Sequence, residues 1–453
     1  MKTVHQQIIF VILLAFLLVL GSFLHSALLN FKLRRIPKEP QPKTTPRPLK
    51  PKSEDDCHLC KAEKGTSPNT LVLASPPLPW CEVRSRRERK KSIHTQGYAC
   101  NNPECMYNHV MDERIHALVG YGFHGKQEPI QDLMCQACKK KFTVRRDTAL
   151  YRIKTHTEKI SLALALLAEG VDVSALERVL GIGEGTMRTW LTRAGLHAAK
   201  LHSTLFQELI FRHIQLDELW ANVRHATQEV WLWVATEATT KIIPVIQLGP
   251  RSLDMAMAVV HGLRRSMQPN CSPVITTDGL KLYFYALTAH FGGWSLPDGG
   301  GKPIWQVATE LLYAQVKKVH RRRKLVKVER NMLCGELTTL KARLQALGLT
   351  GNINTAFVER LNLAIRQGVS FLVRRTWGTA QFTPELELHL EWWRAYYHFS
   401  RYHESLRIQF PEPVQRKGKQ LPCRYRGRTP AMAAGLASRR WSVLELLSYP
   451  LSG

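Results

Sequence analysis

Three consecutive runs constrain this chain more than any other feature: HIQLDELWANV from His213, VWLWVATEA from Val230 and KIIPVIQLG from Lys241. Their β-branched and aromatic content predicts strands spaced like a meander, and the nearly unbroken apolar character of the second and third puts those two inside a sheet. RSLDMAMAVVHGLRRSM then reads as a helix, and PVITTDGL as a short buried strand ending in a turn. The predicted order is three strands, a helix, a fourth strand and further helices, an α/β fold on a mixed sheet. Asp217 falls within the first strand and Asp278 at the end of the fourth. Carboxylates in such positions obstruct packing unless something binds them.

Farther along, INTAFVERLNLAIRQ, residues 353–367, has Phe357, Leu361, Ala364 and Ile365 on one side of a helix. Glu359, Asn362 and Arg366, at steps of three and four, fall on the other. A solvated surface helix accounts for that stripe taken alone, so its meaning depends on the rest of the chain.

The 453 residues suffice for two or three domains, and 44% hydrophobic content for packed cores. The 64 Lys and Arg against 36 Asp and Glu leave a formal charge of +28. Such a surplus favours a polyanionic partner, nucleic acid first and anionic lipid second, because neutralised phosphates release counterions. Six of the ten cysteines fall in three close pairs of metal-like spacing, Cys57 with Cys60, Cys100 with Cys105 and Cys135 with Cys138, and not in a dense disulfide scaffold, which predicts a reducing compartment.

Ile8 to Leu29 contains no Asp, Glu, Lys or Arg and is long enough to span a bilayer, so residues 1–30 are a candidate transmembrane helix. Lys32, Arg34, Arg35 and Lys38 follow it, which would keep the downstream chain in the cytoplasm, on the nucleoid face of the inner membrane. The competing reading is a wrongly assigned start codon. Residues 31–97 form a basic, proline-rich tether; its run RSRRERKK reads as a solvated face, and Cys57 and Cys60, with His58 or His94 nearby, leave a second zinc site open.

YACNNPECMYN supplies Cys100 and Cys105, and LMCQACKKKF supplies Cys135 and Cys138. Two close pairs a hairpin apart are what tetrahedral Zn²⁺ requires, so residues 98–150 read as a zinc ribbon whose ion is structural, all four positions being thiolates. Residues 151–205 follow with three helical segments broken at Gly170 and at GIGEG. Leu162, Leu166, Leu176, Val179, Leu180, Met187, Trp190 and Leu191 supply a small trihelical core. That is a helix-turn-helix pattern with a second helix at Glu184 to Ala194, offering Thr186, Arg188, Thr189 and Arg193 to a major groove.

The motifs QLDELWA, ITTDGLKLYF, NTAFVERLNLAIRQ, YYHFSRYHESLR and RTPAMAAGL together resemble those of DDE transposases of bacterial insertion sequences, most nearly the insertion-sequence-one type. The resemblance runs from about Tyr98 to the C-terminus and includes the ribbon and the helix-turn-helix. It implies a ribonuclease H-like catalytic domain over residues 206–410 with a basic insertion at 292–350, and a C-terminal tail at 411–453. It further implies that Asp217, Asp278 and Glu359 hold Mg²⁺ or Mn²⁺ and that Arg366, two turns past the glutamate, contacts DNA. The chemistry asks for the same types: phosphodiester cleavage needs charge neutralised on attacking and leaving oxygens, which two Mg²⁺ about 3.5–4 Å apart accomplish, and hard cations take carboxylate oxygens. Arg321, Arg322 and Arg323, within KKVHRRRKLVK, suit a DNA backbone. Glu218 and Asn362 stand beside the triad as supporting groups.

The expected function is a transposase that binds double-stranded DNA at its element's ends, cleaves a strand with metal-activated water and joins the freed 3′-hydroxyl to target DNA. Synapsis of two ends implies a homo-oligomer. Two rivals remain: a membrane-tethered DNA-binding regulator with an inactive sheet domain, and a structure-selective nuclease on the same fold.

Overall fold

The computed structural model describes residues 98–111, 117–297, 301–322, 324–374, 378–415 and 422–451. The hydrophobic segment 8–29, the tether, Cys57, Cys60 and Arg323 lie outside them. Among the described residues no helix is long and apolar enough to cross a membrane.

The first sheet is small and antiparallel, with β1 (Leu118–His124), β2 (Ile130–Cys135) and β3 (Lys141–Thr143) in that order. A bulge at Gly120 and Gly122 lets the outer strand coil, and Gly122 takes φ 119°, a conformation that penalises any side chain. Glu128, beyond β1, ties this sheet to the next module. It accepts hydrogen bonds from Arg145 Nη2 at 2.6 Å and from the hydroxyl and backbone N–H of Thr157.

Thr157 opens α1 (Thr157–Ala168), followed by α2 (Val173–Leu180) and α3 (Glu184–Leu205). Asp172 caps α2, accepting from Ala175 N–H at 2.8 Å, and Gly181 in the left-handed region (φ 61°) closes it. The three helices and the tight turn at GIGEG are present as read from the sequence. Two expectations are corrected. The third helix continues eleven residues past Ala194, because Ala194, Ala198 and Leu201 extend a buried stripe. That stripe packs on α8 (Thr383–Ala395), so closely that a Cβ on Gly195 would lie 2.3 Å from the Leu388 carbonyl oxygen. Leu162 and Val179 are exposed, and Ile160, Leu164 and Leu167 fill the core in their place.

The large sheet is mixed, with six strands in the order β11 (Lys324–Cys334), β10 (Leu312–Arg321), β7 (Val274–Thr277), β4 (His213–Ala221), β5 (Val230–Glu237) and β6 (Val245–Gly249), while β8 (Gly292–Ser295) and β9 (Ile304–Val307) pair in a hairpin of their own. Strands β4 (His213–Ala221), β5 (Val230–Glu237) and β6 (Val245–Gly249) form the expected antiparallel meander. Helix α4 (Leu253–Ser266) carries the chain across to β7 (Val274–Thr277), which runs parallel to β4. Segment 292–350, expected as an insertion, supplies two strands of this sheet. β10 (Leu312–Arg321) pairs parallel with β7, and β11 (Lys324–Cys334) pairs antiparallel at the edge. Leu312, Tyr313, Ala314 and Val316 are buried, which fixes β10 inside the sheet before the chain turns basic and leaves it. Residues 430–451, expected as part of a tail, also belong to the core: Ala431, Leu446 and Leu447 are buried, and Trp441 stacks on Phe399 with centroids 4.5 Å apart.

Candidate functional site

Register explains why two residues far apart in sequence become neighbours. In the parallel pair, Ile214, Gln215 and Leu216 of β4 face Ile275, Thr276 and Thr277 of β7. The residues that follow are Asp217, midway along β4, and Asp278, just past the end of β7, so the two carboxylates stand side by side where the shorter strand stops. β4 also pins the helix above it. Gln215 Oε1 accepts the N–H groups of Phe357 and Val358, each at 3.0 Å, and its Nε2 donates to the Asn354 carbonyl at 2.8 Å. Two otherwise unpaired N–H groups of α7 (Ala356–Gly368) are thereby satisfied from β4, and the polar stripe of that helix is held over Asp217.

Asp217, Glu218 and Asp278 each offer a carboxylate oxygen within 4.8 Å of the others. Each is held in place. Asp217 accepts from Asn362 Nδ2 at 2.8 Å and from Glu218 N–H at 3.0 Å; Asp278 accepts from Leu280 N–H at 3.0 Å. Glu218 is ion-paired with Arg251 and accepts from the Tyr283 hydroxyl at 3.1 Å. Burial, followed by the charges of Asp278 and Glu218, pushes the Asp217 carboxyl up to about 7. Burial raises Asp278 and Glu218 as well, against the opposing pull of Arg251. Three acids that each resist ionisation in one another's company are a donor set that a cation would relieve. Asn362 adds an independent sign: its buried Oδ1 has no partner among the described residues, although its Nδ2 is committed to Asp217.

Glu359 is not in that cluster. It lies on the first turn of α7, ion-paired with Lys318 of β10 and accepting from the Thr355 hydroxyl at 2.5 Å. Glu359, Asn362 and Arg366 do line one cleft, together with Arg374. From the sequence, Glu218 reads as a supporting group. Its proximity to Asp217 is legible there, but not that two consecutive residues of one strand both bring a carboxylate oxygen to Asp278.

In the ribbon, Cys100, Cys105, Cys135 and Cys138 bring four sulfurs within 4.8 Å of one another. Sulfurs about 2.3 Å from one tetrahedral ion lie roughly 3.8 Å apart. The Cys100–Cys138 and Cys105–Cys135 Sγ separations are 3.5 and 3.8 Å. The turns that present them are closed by Asn108 N–H on the Cys105 carbonyl and Lys139 N–H on the Cys135 carbonyl, each at 2.8 Å. Burial pushes the Cys100 thiol up. Burial acts in the same sense on Cys138, but N–H donation from Lys140 and contacts with its neighbours outweigh it and bring that thiol to about 7. This set fits a soft, closed metal site.

The expected DNA-reading residues divide. Thr186 and Thr189 are exposed near the start of α3, although the Thr189 hydroxyl is turned onto the Gly185 carbonyl at 2.8 Å. Arg188 is held by Glu184 and Glu385, and Arg193 donates to the Tyr151 carbonyl at 2.6 Å. Arg321 and Arg322 stand exposed at the tip of the β10–β11 hairpin. Compared with protein-family models and with curated proteins, the chain finds no match.

Proposed function

We propose that the chain is a DDE transposase on a ribonuclease H-like fold, acting on double-stranded DNA through a divalent-metal site where Asp217 of β4 meets Asp278 at the end of β7. The observation that carries this reading is the junction of Asp217 and Asp278, brought side by side by strand register under a helix bearing Glu359, Asn362 and Arg366. The antiparallel meander, the helical crossover and the parallel strands β7 and β10 support the fold assignment.

The chemistry that Mg²⁺ or Mn²⁺ would supply is neutralisation of charge on the attacking and leaving oxygens. Asp217 and Asp278 would hold it, and Glu359 would join them by exchanging its Lys318 partner. Asn362 keeps the Asp217 carboxylate oriented, while Arg251 and Tyr283 restrain Glu218. Arg366 and Arg374, in the cleft with Glu359, are positioned to meet a phosphate. The zinc ribbon and the exposed start of α3 would hold the DNA end, and two ends brought together require at least a dimer.

The test is cleavage and strand transfer on the DNA that flanks the gene. The wild-type chain should cut and join in Mg²⁺. Cutting without joining would replace this reading with a nuclease, and neither activity would replace it with a DNA-binding regulator.

A further inference from the structure

The run YYHFSRYHESLR takes no part in the carboxylate site, yet it folds against the other flank of α7. There Lys241, Arg360, Arg401, His403 and Arg407 wall a cleft of about 600 Å³. Its one carboxylate among the described lining residues is Glu404, paired with Arg407 at 3.1 Å. Arg401 reaches Glu169 only at 3.8 Å. Among the described residues, Lys241 and Arg360 pair with no carboxylate. Lys241 Nζ instead donates to the Ala238 carbonyl and sits 3.7 Å from the centroid of the Phe357 ring.

Gathering cations in a concavity costs free energy, and the neighbours register it. Burial, then the Arg360 charge, brings the Lys241 ammonium down to about 8 against the pull of Glu237. Burial with the charges of Lys241, Arg360 and Arg401 pushes His403 down to about 4. The backbone that holds the group is unusual as well. Lys241 adopts φ 64°, uncommon outside glycine, and Tyr396–Ser400 forms a π-helical turn that delivers Arg401. Such turns recur at functional sites.

We infer that this cleft is a phosphate-binding cradle. Guanidinium forks on more than one wall match phosphate oxygens in pairs, and Lys241 adds a point charge already stripped of much of its water. The polynucleotide backbone is the favoured source of the phosphate, because the cleft adjoins the one bearing Arg366. The two share Leu363 and Gln367, and Leu363 is 56% exposed on the crest of α7 between them. A phosphodiester chain crossing that crest would meet Arg366 and Arg374 on one side and Arg360 and Lys241 on the other. The cradle depends on its own charge and shape, and so does not rest on the cleavage chemistry proposed above.

The experiment uses the full chain without added divalent cation and has two arms. In the first, anisotropy follows a labelled DNA duplex through a salt series. In the second, a thermal shift follows sodium pyrophosphate against chloride at matched ionic strength. Arg360 is exposed, so Arg360→Gln leaves the fold intact. It should weaken duplex binding roughly fivefold to tenfold at physiological salt and lower the salt slope by about 0.9. Lys241→Gln should act in the same direction, and Arg360→Lys should keep the slope. Loss of pyrophosphate stabilisation with duplex binding unchanged would support the cradle and assign it to a free phosphorylated ligand. Wild-type behaviour of Arg360→Gln and Lys241→Gln in both arms would overturn it. Binding is read without divalent cation, so failure of the cleavage reading leaves either result standing.

Discussion

In the ribbon, four sulfurs come from two turns of one short stretch, three of them buried, and they already stand at the spacing of a single tetrahedral ion. In the large sheet, the oxygens come from the middle of β4 and the end of its parallel neighbour β7, and the carboxylate on the overlying helix is engaged elsewhere, by Lys318. The first site is built to be closed. The second leaves groups that repel one another, an amide oxygen without a partner among the described residues and a glutamate one ion pair away. A closed structural ion would stabilise the segment that holds it, whereas a site kept open for a ligand stores unfavourable electrostatics that stability alone would remove. The same substitution logic should therefore have opposite signs in the two regions.

The largest expected effect is in the ribbon. Cys135→Ser, and separately Cys138→Ser, should reduce zinc from one ion per chain to a substoichiometric level. Residues 98–150 should lose hydrogen-exchange protection while the large sheet keeps its own. Unchanged zinc stoichiometry in both variants would remove the distinction between the regions.

Acidification should act outside the ribbon, on histidines buried in the helices and the large sheet. Burial depresses His197, His213 and His389 to about 4, and His398 further. In the unfolded chain these rings take protons below about 6.5. The unfolded state therefore binds more protons between about 6.5 and 4, and stability present above that window is lost as pH falls through it, on the order of 1 kcal/mol per histidine per pH unit. Urea midpoints measured along that range should fall steeply, with proton uptake on unfolding; a flat profile would contradict the burial of these rings.

Asp217→Asn should stabilise. The folded carboxyl titrates near 7 and the unfolded one near its ordinary value, so the wild-type chain loses stability as pH rises toward 7. The amide cannot ionise. Its advantage should grow between about pH 4 and 7 and level off above, reaching on the order of 1–2 kcal/mol. A destabilised Asp217→Asn at pH 8 would mean that the carboxylate is structural.

The smallest effect belongs to Lys318→Ala. The pair with Glu359 is exposed and worth about 0–1 kcal/mol, so the unfolding midpoint should barely move. Freed Glu359 should raise Mn²⁺ affinity roughly twofold to fivefold, about what loss of so weak a competitor allows. Weaker Mn²⁺ binding in Lys318→Ala would place Glu359 outside the site.

What could be read from the sequence follows the same division. Cysteine spacing is local, so the four sulfurs were legible before any fold was known. The meander and Asp217 were legible from periodicity, and Asp278 from the turn after a short apolar run. The end of α3 was not, because nothing within Ala194–Leu205 says that α8 will cover it. Nor was β10: its buried face occupies only Leu312–Val316, and the basic residues beyond it disguise a strand as an insertion. The pairing of Glu359 with Lys318 joins residues 41 apart and depends on how that hairpin folds back.

The most direct test of the account is Mg²⁺-dependent strand cleavage by purified Asp278→Asn on the flanking DNA, with zinc content, unfolding midpoint and duplex affinity measured on the same preparation. Cleavage should disappear while zinc content and duplex affinity stay at wild-type values and the unfolding midpoint does not fall, because ionising the buried Asp278 carboxyl costs stability. Wild-type cleavage by that variant would contradict the central claim that Asp217 of β4 and Asp278 at the end of β7 carry the reaction.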